Sequence, residues 1–439
     1  MPTPQDRIGV LYFTSVLGVF DLDIKLLKYL GAKIEPVVTL ILIIYFLVPG
    51  LGPPPLDSFM RLVSYPMVAI LILGQWKRFL YVSTRNIPLL MLIVMAFASI
   101  LWSAAPFYTS DESKALIRAT AFGAYLATRH DFKGLMKLWT WVFGITIFLS
   151  FIVNIRPINE AWVGIFSYKN HLARMMTYAA ILMQTNTMKP GKLRWLAKLG
   201  FYLCIALTFL SQSKSGYVFF CIMLLIFPLY NLIRMNYKIR VIFLFSILLL
   251  AGSAILLLVF NLETFLVDIL GKDLTLNGRT QIWGLMFEKV SQRPWTGYGY
   301  SGFWTSNEAE YIYKNSWAYG ATIIEGFRFN SHNSFMELLL QVGVPGLSLY
   351  LFSYLLTFSR TVNLLKSTRD NLKKIELFWI LQNLCAMFLF SWSDSGGVLG
   401  NDSIWTFYVC IALRTGIECK RIREKNSSRS YLIEQNMIG

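Results

Sequence analysis

The longest polar interruption of the chain, Asn261–Asn333, contains NGRTQIWGLMFEKVSQRPWTGYGYSGFW at 277–304 and ends in Ser-His-Asn at 331–333. The segments on either side of it are close to continuous hydrocarbon. A connection longer than ~15 residues is usually either functional or disordered, and the aromatic residues spread through this one favour order. We therefore predict that membrane-spanning segments hold this loop, and charged residues beside it, at the outer face of a membrane.

Hydrophobic residues make up 55% of the 439 residues, and charged residues only 15%. Runs approaching ~20 apolar residues, the length needed to cross a bilayer as a helix, recur from end to end. The alternating pattern of a membrane β-barrel is not seen. The composition predicts an all-α polytopic membrane protein with about twelve transmembrane helices and one large periplasmic loop that contains short helices.

The formal net charge of +17 is compatible with a nucleic-acid partner. However, the Lys and Arg residues stand in short clusters between apolar segments, which is typical of topology signals. We therefore expect no nucleic-acid partner, although an anionic substrate could use some of the surplus charge. The five Cys residues lack the spacing of a metal site and are expected to lie mostly in the core.

The N-terminus carries a short apolar run at 8–20, and whether this run lies on the membrane or crosses it stays open. It lacks a basic n-region and an obvious cleavage site, so no removable signal peptide is expected. The polar C-terminal tail is expected to fray. The predicted parts are a cytoplasmic or interfacial segment (1–36), transmembrane helices 1–9 (37–260), the periplasmic loop (261–333), transmembrane helices 10–12 (334–415) and a basic cytoplasmic tail (416–439).

Apolar segments and basic loops together predict the topology. Every second loop is basic, which places these loops and both termini of the multi-pass chain in the cytoplasm. The basic loops contain Lys77 and Arg85, Arg129 and Lys133, Lys189 and Lys198, Arg234 and Arg240, and Arg360 and Lys374. The spans are expected at about 37–51, 60–76, 87–103, 115–129, 135–154, 171–186, 198–212, 215–233, 239–260, 334–356, 375–393 and 401–415.

Several cations fall at the predicted outer face, where they either contact phospholipid headgroups or hold an anionic substrate. Lys214 lies in a hairpin between two apolar runs, beside three Ser hydroxyls, and its short loop favours the substrate interpretation. Arg279 starts a predicted helix, Thr280–Ser291, where free N–H groups and the helix dipole favour a phosphate. The remaining candidates are Lys169, Asn170, Arg174 and Arg293.

Gly297–Gly302 matches the pattern G-x-G-x-x-G of dinucleotide-binding loops. That pattern has meaning only between a strand and a helix, a context that an exported loop of a membrane protein does not offer. We interpret these glycines as turns that pack Trp295, Tyr300 and Trp304. Such aromatic residues also suit stacking on sugar rings or anchoring at the membrane interface.

His332, followed by Asn333, lies where the loop meets the next apolar segment. Its imidazole titrates near neutrality and could remove a proton from an attacking hydroxyl, with Glu337 as the group that orients it. The alternative is a capping or headgroup-contacting His. No H-x-x-x-H or paired acidic motif accompanies it, so we expect chemistry without a metal or other cofactor.

Five segments in fixed order, covering about residues 160 to 350, carry a family resemblance. They are Gly164–Arg174, Ser211–Gly216, Gly278-Arg279 with Trp283, Arg293–Gly299, and His332-Asn333 with Gly343 and Gly346. The chain resembles the O-antigen ligase/polymerase superfamily, and most closely its ExoQ-like exopolysaccharide polymerase branch. Ligases commonly have Arg where Lys214 stands, and the ExoQ-like motif usually has Gly where Ala173 stands.

The resemblance implies an inner-membrane glycosyltransferase that acts at the periplasmic face without metal or nucleotide. Its partners would be an undecaprenyl-diphosphate-linked oligosaccharide, a growing glycan or other acceptor, membrane lipids and other polysaccharide assembly proteins. By this resemblance Lys214 and Arg279 would bind the donor diphosphate, with Lys169 and Arg174 beside them, and His332 would be the general base. Asn333, Glu337, Arg293 and Asn170 would support the site.

The preferred activity is polymerisation of exopolysaccharide or O-antigen repeat units by inversion. The alternative within the family is an O-antigen ligase that attaches a finished glycan to a lipid or protein acceptor. A transporter of an anion or glycolipid would also place cations at the outer face. It predicts charged residues in mid-helix and discontinuous helices, which are sparse in this sequence.

Overall fold

The computed structural model describes residues 33–154, 161–232, 278–316, 329–393 and 397–438. Within these ranges the protein is all-helical, as predicted. The apolar segments at 8–20 and 239–260 lie outside the described residues, and so do residues 261–277 at the start of the long loop.

Helix starts follow from local chemistry. Pro lies in the first turn of three early helices, where the missing backbone N–H leaves no hydrogen bond unmade. The helices are α1 (33–47), α2 (Pro54–Leu73), α3 (Trp76–Ser83), α4 (Ile87–Ala98), α5 (Pro106–Arg129), α6 (Phe132–Ile152), α7 (Lys169–Thr187), α8 (Arg194–Leu210), α9 (Lys214–Ile226), α10 (Leu229–Leu232), α11 (Arg279–Gln292), α12 (Glu310–Lys314), α13 (Ser334–Ser367), α14 (Asn371–Ser391) and α15 (Ser403–Ile438).

In the described ranges, five helical segments are long and apolar enough to cross a membrane: α2, α6, Lys214–Asn231, α13 and α14. Up to six result if α3 and Ile87–Trp102, which are bent by 97°, count as one broken span. Helices α5 and α15 pack on each other and bury charged side chains such as Arg118 and Arg414. The chain is a multi-pass membrane protein, and the count of about twelve spans stays a prediction.

Loops that were predicted to share a side of the membrane meet in space. Residues of four predicted cytoplasmic connections line one cavity of about 580 Å³; Asp131, Lys189, Asp370 and Arg421 are examples. The described part of the long loop lies instead with the start of α7 and the start of α13. These connections and the long loop therefore lie at different ends of the bundle, and the side of the membrane that each faces stays a prediction.

Two expectations about polar segments were wrong. Lys77 and Arg78 belong to the short helix α3 and not to a loop. The tail expected to fray continues α15 through residue 438. Ion pairs one turn apart stabilise this extension; they join Arg414 to Glu418 and Lys420 to Glu424.

The described part of the long loop has a small core of its own. The helical stripe Ile282, Met286 and Val290 of α11 packs with Tyr298 and Phe303 in one buried cluster. Met286 and Phe303 are fully buried. Each such side chain contributes on the order of 1.5–3 kcal/mol when it leaves water. This core explains why so aromatic a loop is ordered, as predicted.

Helix α13 is broken at Gly343, whose φ of 68° and ψ of −171° are not helical. The glycine-rich segment 294–299 fills the break. Leu340 and Gln341 accept hydrogen bonds from the N–H groups of Tyr298 and Gly299, each at 2.9 Å, and the Val344 N–H donates to Pro294 at 2.8 Å. The loop therefore completes the backbone hydrogen bonding of the helix on which it rests.

The glycines of this segment are turns, as predicted, and no strand accompanies them in the described ranges. Gly297 and Gly299 have φ of 61° and 92°. A Cβ on Gly297 would lie 2.6 Å from the Gln341 backbone. Tyr300 and Trp304 are buried, but Trp295 is 70% exposed, so the prediction that it packs here was wrong.

Candidate active site

Five of the predicted site residues stand at or directly before a helix N-terminus. Lys169 begins α7, Lys214 begins α9 and Arg279 begins α11. His332 and Asn333 directly precede α13. Free backbone N–H groups and the positive end of the helix dipole favour anions at such positions.

The first two of these N-termini are joined directly. The Ser213 hydroxyl, which caps α9, donates a hydrogen bond of 2.8 Å to the Asn170 side chain of α7. A Cβ added to Gly216 would lie 2.4 Å from the Ala173 Cβ, so α7 and α9 pack here at backbone distance. This contact brings the exposed side chains of Lys169 and Lys214 to the same corner of the protein. Arg174, one turn further along α7, is only 5% exposed.

His332 lies in a short, tightly bonded bend. Its φ of 52° is left-handed, and its backbone N–H donates to the Asn330 side chain at 3.0 Å. The Asn333 carboxamide caps α13 by accepting from the N–H groups of Phe335 and Met336. A non-glycine residue is held at positive φ only when its surroundings fix it, as these bonds do.

Glu337 acts on this bend through the backbone. Its carboxylate accepts a 2.7 Å hydrogen bond from the Ser331 N–H and two, at 2.9 and 3.0 Å, from the Trp304 indole. The expectation was that it orients the His332 ring; the structure places it against the residue before His332. The carboxylate therefore fixes the path of the chain into the bend.

Trp283 connects α11 to the same bend. Its indole N–H donates to the Ser331 carbonyl at 2.8 Å. Because Trp283 is about one helical turn from Arg279, this bond holds the start of α11 beside His332. The Arg279 guanidinium, half-buried, also donates to the Ser393 carbonyl at the end of α14, at 3.4 Å. Arg279 and His332 are thus gathered at one place.

A partly open cavity of about 280 Å³ lies next to this bend. Asn330 and Glu337 line it from the side of the bend, and Tyr168, the residue before α7, lies in its wall. The residues that line it do not include Lys214, Arg279 or His332.

Arg293 is not part of this group. It follows the last residue of α11, so about 20 Å of helix separate it from Arg279. Its guanidinium lies 3.7 Å from Glu308 and 4.7 Å from the centre of the Tyr298 ring. Burial raises the pKa of Tyr298, and Glu308 adds to that increase. The contacts of Arg293 hold the loop together.

Arg118 of α5 is buried within the bundle. It donates to the Ser64 hydroxyl at 2.8 Å and to the Arg61 carbonyl at 3.1 Å. Its guanidinium stacks on Tyr65 at 4.5 Å. These partners on α2 give Arg118 a structural role.

In the part of the chain that the structure describes, no group of three or more His, Cys, Asp or Glu residues has the geometry of a metal site.

Sequence reasoning missed three residues that contribute to the candidate site. Trp283 was noted only as part of a motif, and Asn330 and Glu112, which line the cavity, carry no local signal. Glu112 is far from His332 in the chain, and only the packing of α5 against the loop brings it to the same cavity.

Two comparisons with known proteins match parts of the chain. Residues 199–351 match the model of a family described as O-Antigen ligase. A stretch of 104 residues is 36% identical to the exopolysaccharide production protein ExoQ of Rhizobium meliloti (strain 1021). That match covers 23% of this chain and 22% of the relative, so the two are alike over about a fifth of their lengths. Over these stretches the chain is similar to the O-antigen ligase family and to ExoQ.

Proposed function

We propose that this protein is a glycosyltransferase that joins a polyprenyl-diphosphate-linked oligosaccharide to an acceptor hydroxyl at the periplasmic face of a bacterial inner membrane. The observation that carries the proposal is the placement of cations and a His at helix N-termini, paired as α7 with α9 and α11 with α13. A diphosphate needs concentrated positive charge, and a hydroxyl nucleophile needs a base. The match of residues 199–351 to the O-antigen ligase family supports the same reaction class.

The reaction has one bond formed and one broken. His332 takes the proton of the acceptor hydroxyl. The hydroxyl oxygen attacks the anomeric carbon from the side opposite the diphosphate. The bond from that carbon to the diphosphate oxygen breaks, and its electron pair leaves with the undecaprenyl diphosphate. Attack from the opposite side inverts the anomeric configuration.

The cations act on the leaving group. Lys214 and Arg279 each add a positive side chain to a helix N-terminus, and Lys169 and Arg174 extend this field from α7. Stabilisation of charge as it develops on a leaving group is usually the largest contribution in such sites. Asn170 and Asn333 support the cations and the base through the caps of α9 and α13.

The preferred physiological role is polymerisation of repeat units for an exopolysaccharide or O-antigen. The name of the relative, an exopolysaccharide production protein, supports this choice. A ligase would attach a finished glycan to a lipid or protein acceptor. Analysis of lipid-linked intermediates in a deletion strain separates the two roles, because single repeats would accumulate without a polymerase and long unattached chains without a ligase.

Transport of an anion or glycolipid is the candidate from another class. The break in α13 is a feature that discontinuous transporter helices share. However, its free backbone groups are bonded by the loop segment 294–299, so they do not face a substrate path. Arg118 likewise has protein partners. These contacts favour a glycosyltransferase over a transporter.

Replacement of His332 by Ala tests the proposal. We expect loss of at least about a hundredfold of transfer activity, the usual contribution of a general base. The measurement is release of undecaprenyl diphosphate by purified protein with a lipid-linked donor and acceptor. His130→Ala, at the opposite end of the bundle, is the matched control and should transfer normally. Undiminished polymer output by His332→Ala protein that reaches the membrane would contradict the mechanism.

A further inference from the structure

The cavity of about 280 Å³ beside His332 has a lining that does not suit a diphosphate. Glu112 of α5 and Asp402, at the start of α15, face it together with the amide side chains of Asn330 and Asn401. Two carboxylates repel phosphate, and the cations of the site stand at the neighbouring helix N-termini. The cavity therefore belongs to another part of the substrate.

Aromatic residues line the cavity together with these polar side chains. Tyr168, 47% exposed, lies at the cavity with the edge of Trp304 and Phe329. The Trp304 ring is held in place because its N–H is bound by Glu337. Aromatic faces attract the C–H groups of a sugar ring, while carboxylates and amides bind its hydroxyls.

Glu112 has the chemistry for this task. It is half-buried in the second turn of α5, and no hydrogen bond or ion pair joins it to another residue in the described ranges. Its neighbour Asp111 instead pairs with Lys114 at 3.2 Å on the outer surface. A half-buried carboxylate with this environment is suited to accept hydrogen bonds from ligand hydroxyls.

We propose that this cavity binds the terminal sugar of the acceptor, and that the sugar is a neutral one. This inference rests on the proposed glycosyl transfer, since it assigns the place of the nucleophile. The volume is near the lower end of small-molecule pockets, about 300 Å³, and so fits one sugar and not a longer glycan. Glu112 and Asp402 select against anionic sugars by charge repulsion. Asn330 lines the cavity and accepts a hydrogen bond from the His332 backbone, so a sugar bound there would lie beside His332.

Steady-state kinetics with the purified full-length protein test the assignment. In Glu112→Gln the KM for the acceptor should rise about tenfold, because one charge-assisted hydrogen bond is lost, and the KM for the lipid-linked donor should stay unchanged. Glu112→Lys should raise the acceptor KM further. Asp111→Asn is the matched control and should behave as the wild type. An unchanged acceptor KM in both Glu112 variants, or a rise in the donor KM alone, would overturn the inference.

A binding measurement separates this inference from the proposed function. Saturation-transfer NMR with methyl β-glucopyranoside and its uronate, which differ mainly in charge, needs no turnover. The neutral glycoside should bind the wild type, bind Glu112→Lys at least about tenfold more weakly, and bind better than the uronate. Equal binding of both glycosides, or no dependence on Glu112, overturns the neutral-sugar site. Glu112-dependent binding by a protein that transfers no sugar would instead overturn the proposed function and support the sugar site.

Discussion

At the scale of single residues, His332 owes its position to hydrogen bonds made by its neighbours. Glu337 and Trp283 both hold Ser331, one through its N–H and the other through its carbonyl. Asn330 and Asn333 bond the backbone on either side of the imidazole. These bonds would keep the proposed base in place without reorganisation during the reaction.

The two Arg residues at opposite ends of α11 allow a paired prediction. Arg279→Gln should reduce kcat for transfer about a hundredfold, because a cation that stabilises the departing diphosphate is lost. Arg293→Gln should leave kcat within a fewfold of the wild type, since Arg293 contacts Glu308 and Tyr298 instead. Both are measured with purified protein and lipid-linked donor.

Thermal unfolding provides the complementary readout for this pair. Arg293→Gln should lower the melting temperature more than Arg279→Gln, because it removes contacts within the loop. Equal kinetic losses in the two variants would argue against a diphosphate site at the start of α11.

At the scale of helices, the break in α13 and the glycine-rich loop form one unit. Helix periodicity predicted α11 to within one residue at each end, because the spacing of its apolar residues is a local sequence pattern. The same reasoning missed the break at Gly343, although Gly343 and Pro345 are both of residue types that interrupt helices. The break exists because the loop segment 294–299 supplies hydrogen-bond partners from a distant part of the chain.

Substitution of Gly343 tests this unit. In Gly343→Ala the Cβ would lie 2.6 Å from the Pro294 carbonyl oxygen at a left-handed φ, so we expect a loss of at least about 2 kcal/mol of unfolding free energy. Gly284→Ala is the control: its Cβ meets nothing within 4 Å on helix α11, and it should stabilise by about 0.5–1 kcal/mol. Denaturant unfolding in detergent measures both. A neutral Gly343→Ala would show that the break is not required.

The contact between α7 and α9 supports a second prediction. Gly216→Ala would place two Cβ atoms 2.4 Å apart, and such overpacking costs about 1–3 kcal/mol. Adding Ala173→Gly removes the opposing Cβ and should restore part of the loss. Gly144→Ala, where nothing lies within 4 Å, is the control. If the double variant were as unstable as the sum of the single ones, the close approach of α7 and α9 would not explain the defect.

At the scale of the whole molecule, the sequence predicted that the basic loops lie together at one end of the bundle. It indicated only part of the candidate site. Basic clusters are a compositional signal, and the loops that carry them do meet at one end. The candidates Lys214, Arg279 and His332 were found from their local motifs. The sequence did not indicate Glu112 or the role of Trp283, because both depend on contacts between distant segments.

Cysteine accessibility tests the orientation of the bundle. A Cys introduced for Asn315 should react with a membrane-impermeant maleimide in intact spheroplasts, because this exposed residue lies in the predicted periplasmic loop. A Cys introduced for Lys192 should react only after permeabilisation, as expected for a basic cytoplasmic loop. The parent protein, with its native Cys residues, gives the background. The opposite labelling pattern would invert the topology and remove the periplasmic reaction.

The bonding of segment 294–299 to α13 also limits how substrates reach the site. If this segment lifted away, the N–H groups of Tyr298 and Gly299 and the Pro294 carbonyl would lose their helix partners, at about 1 kcal/mol or more each. Trp102 and Ala104 tie the same segment to the connection between α4 and α5. The segment is thus fixed to α13 and is not a hinged lid. A lipid-linked donor should accordingly enter sideways, out of the bilayer between helices.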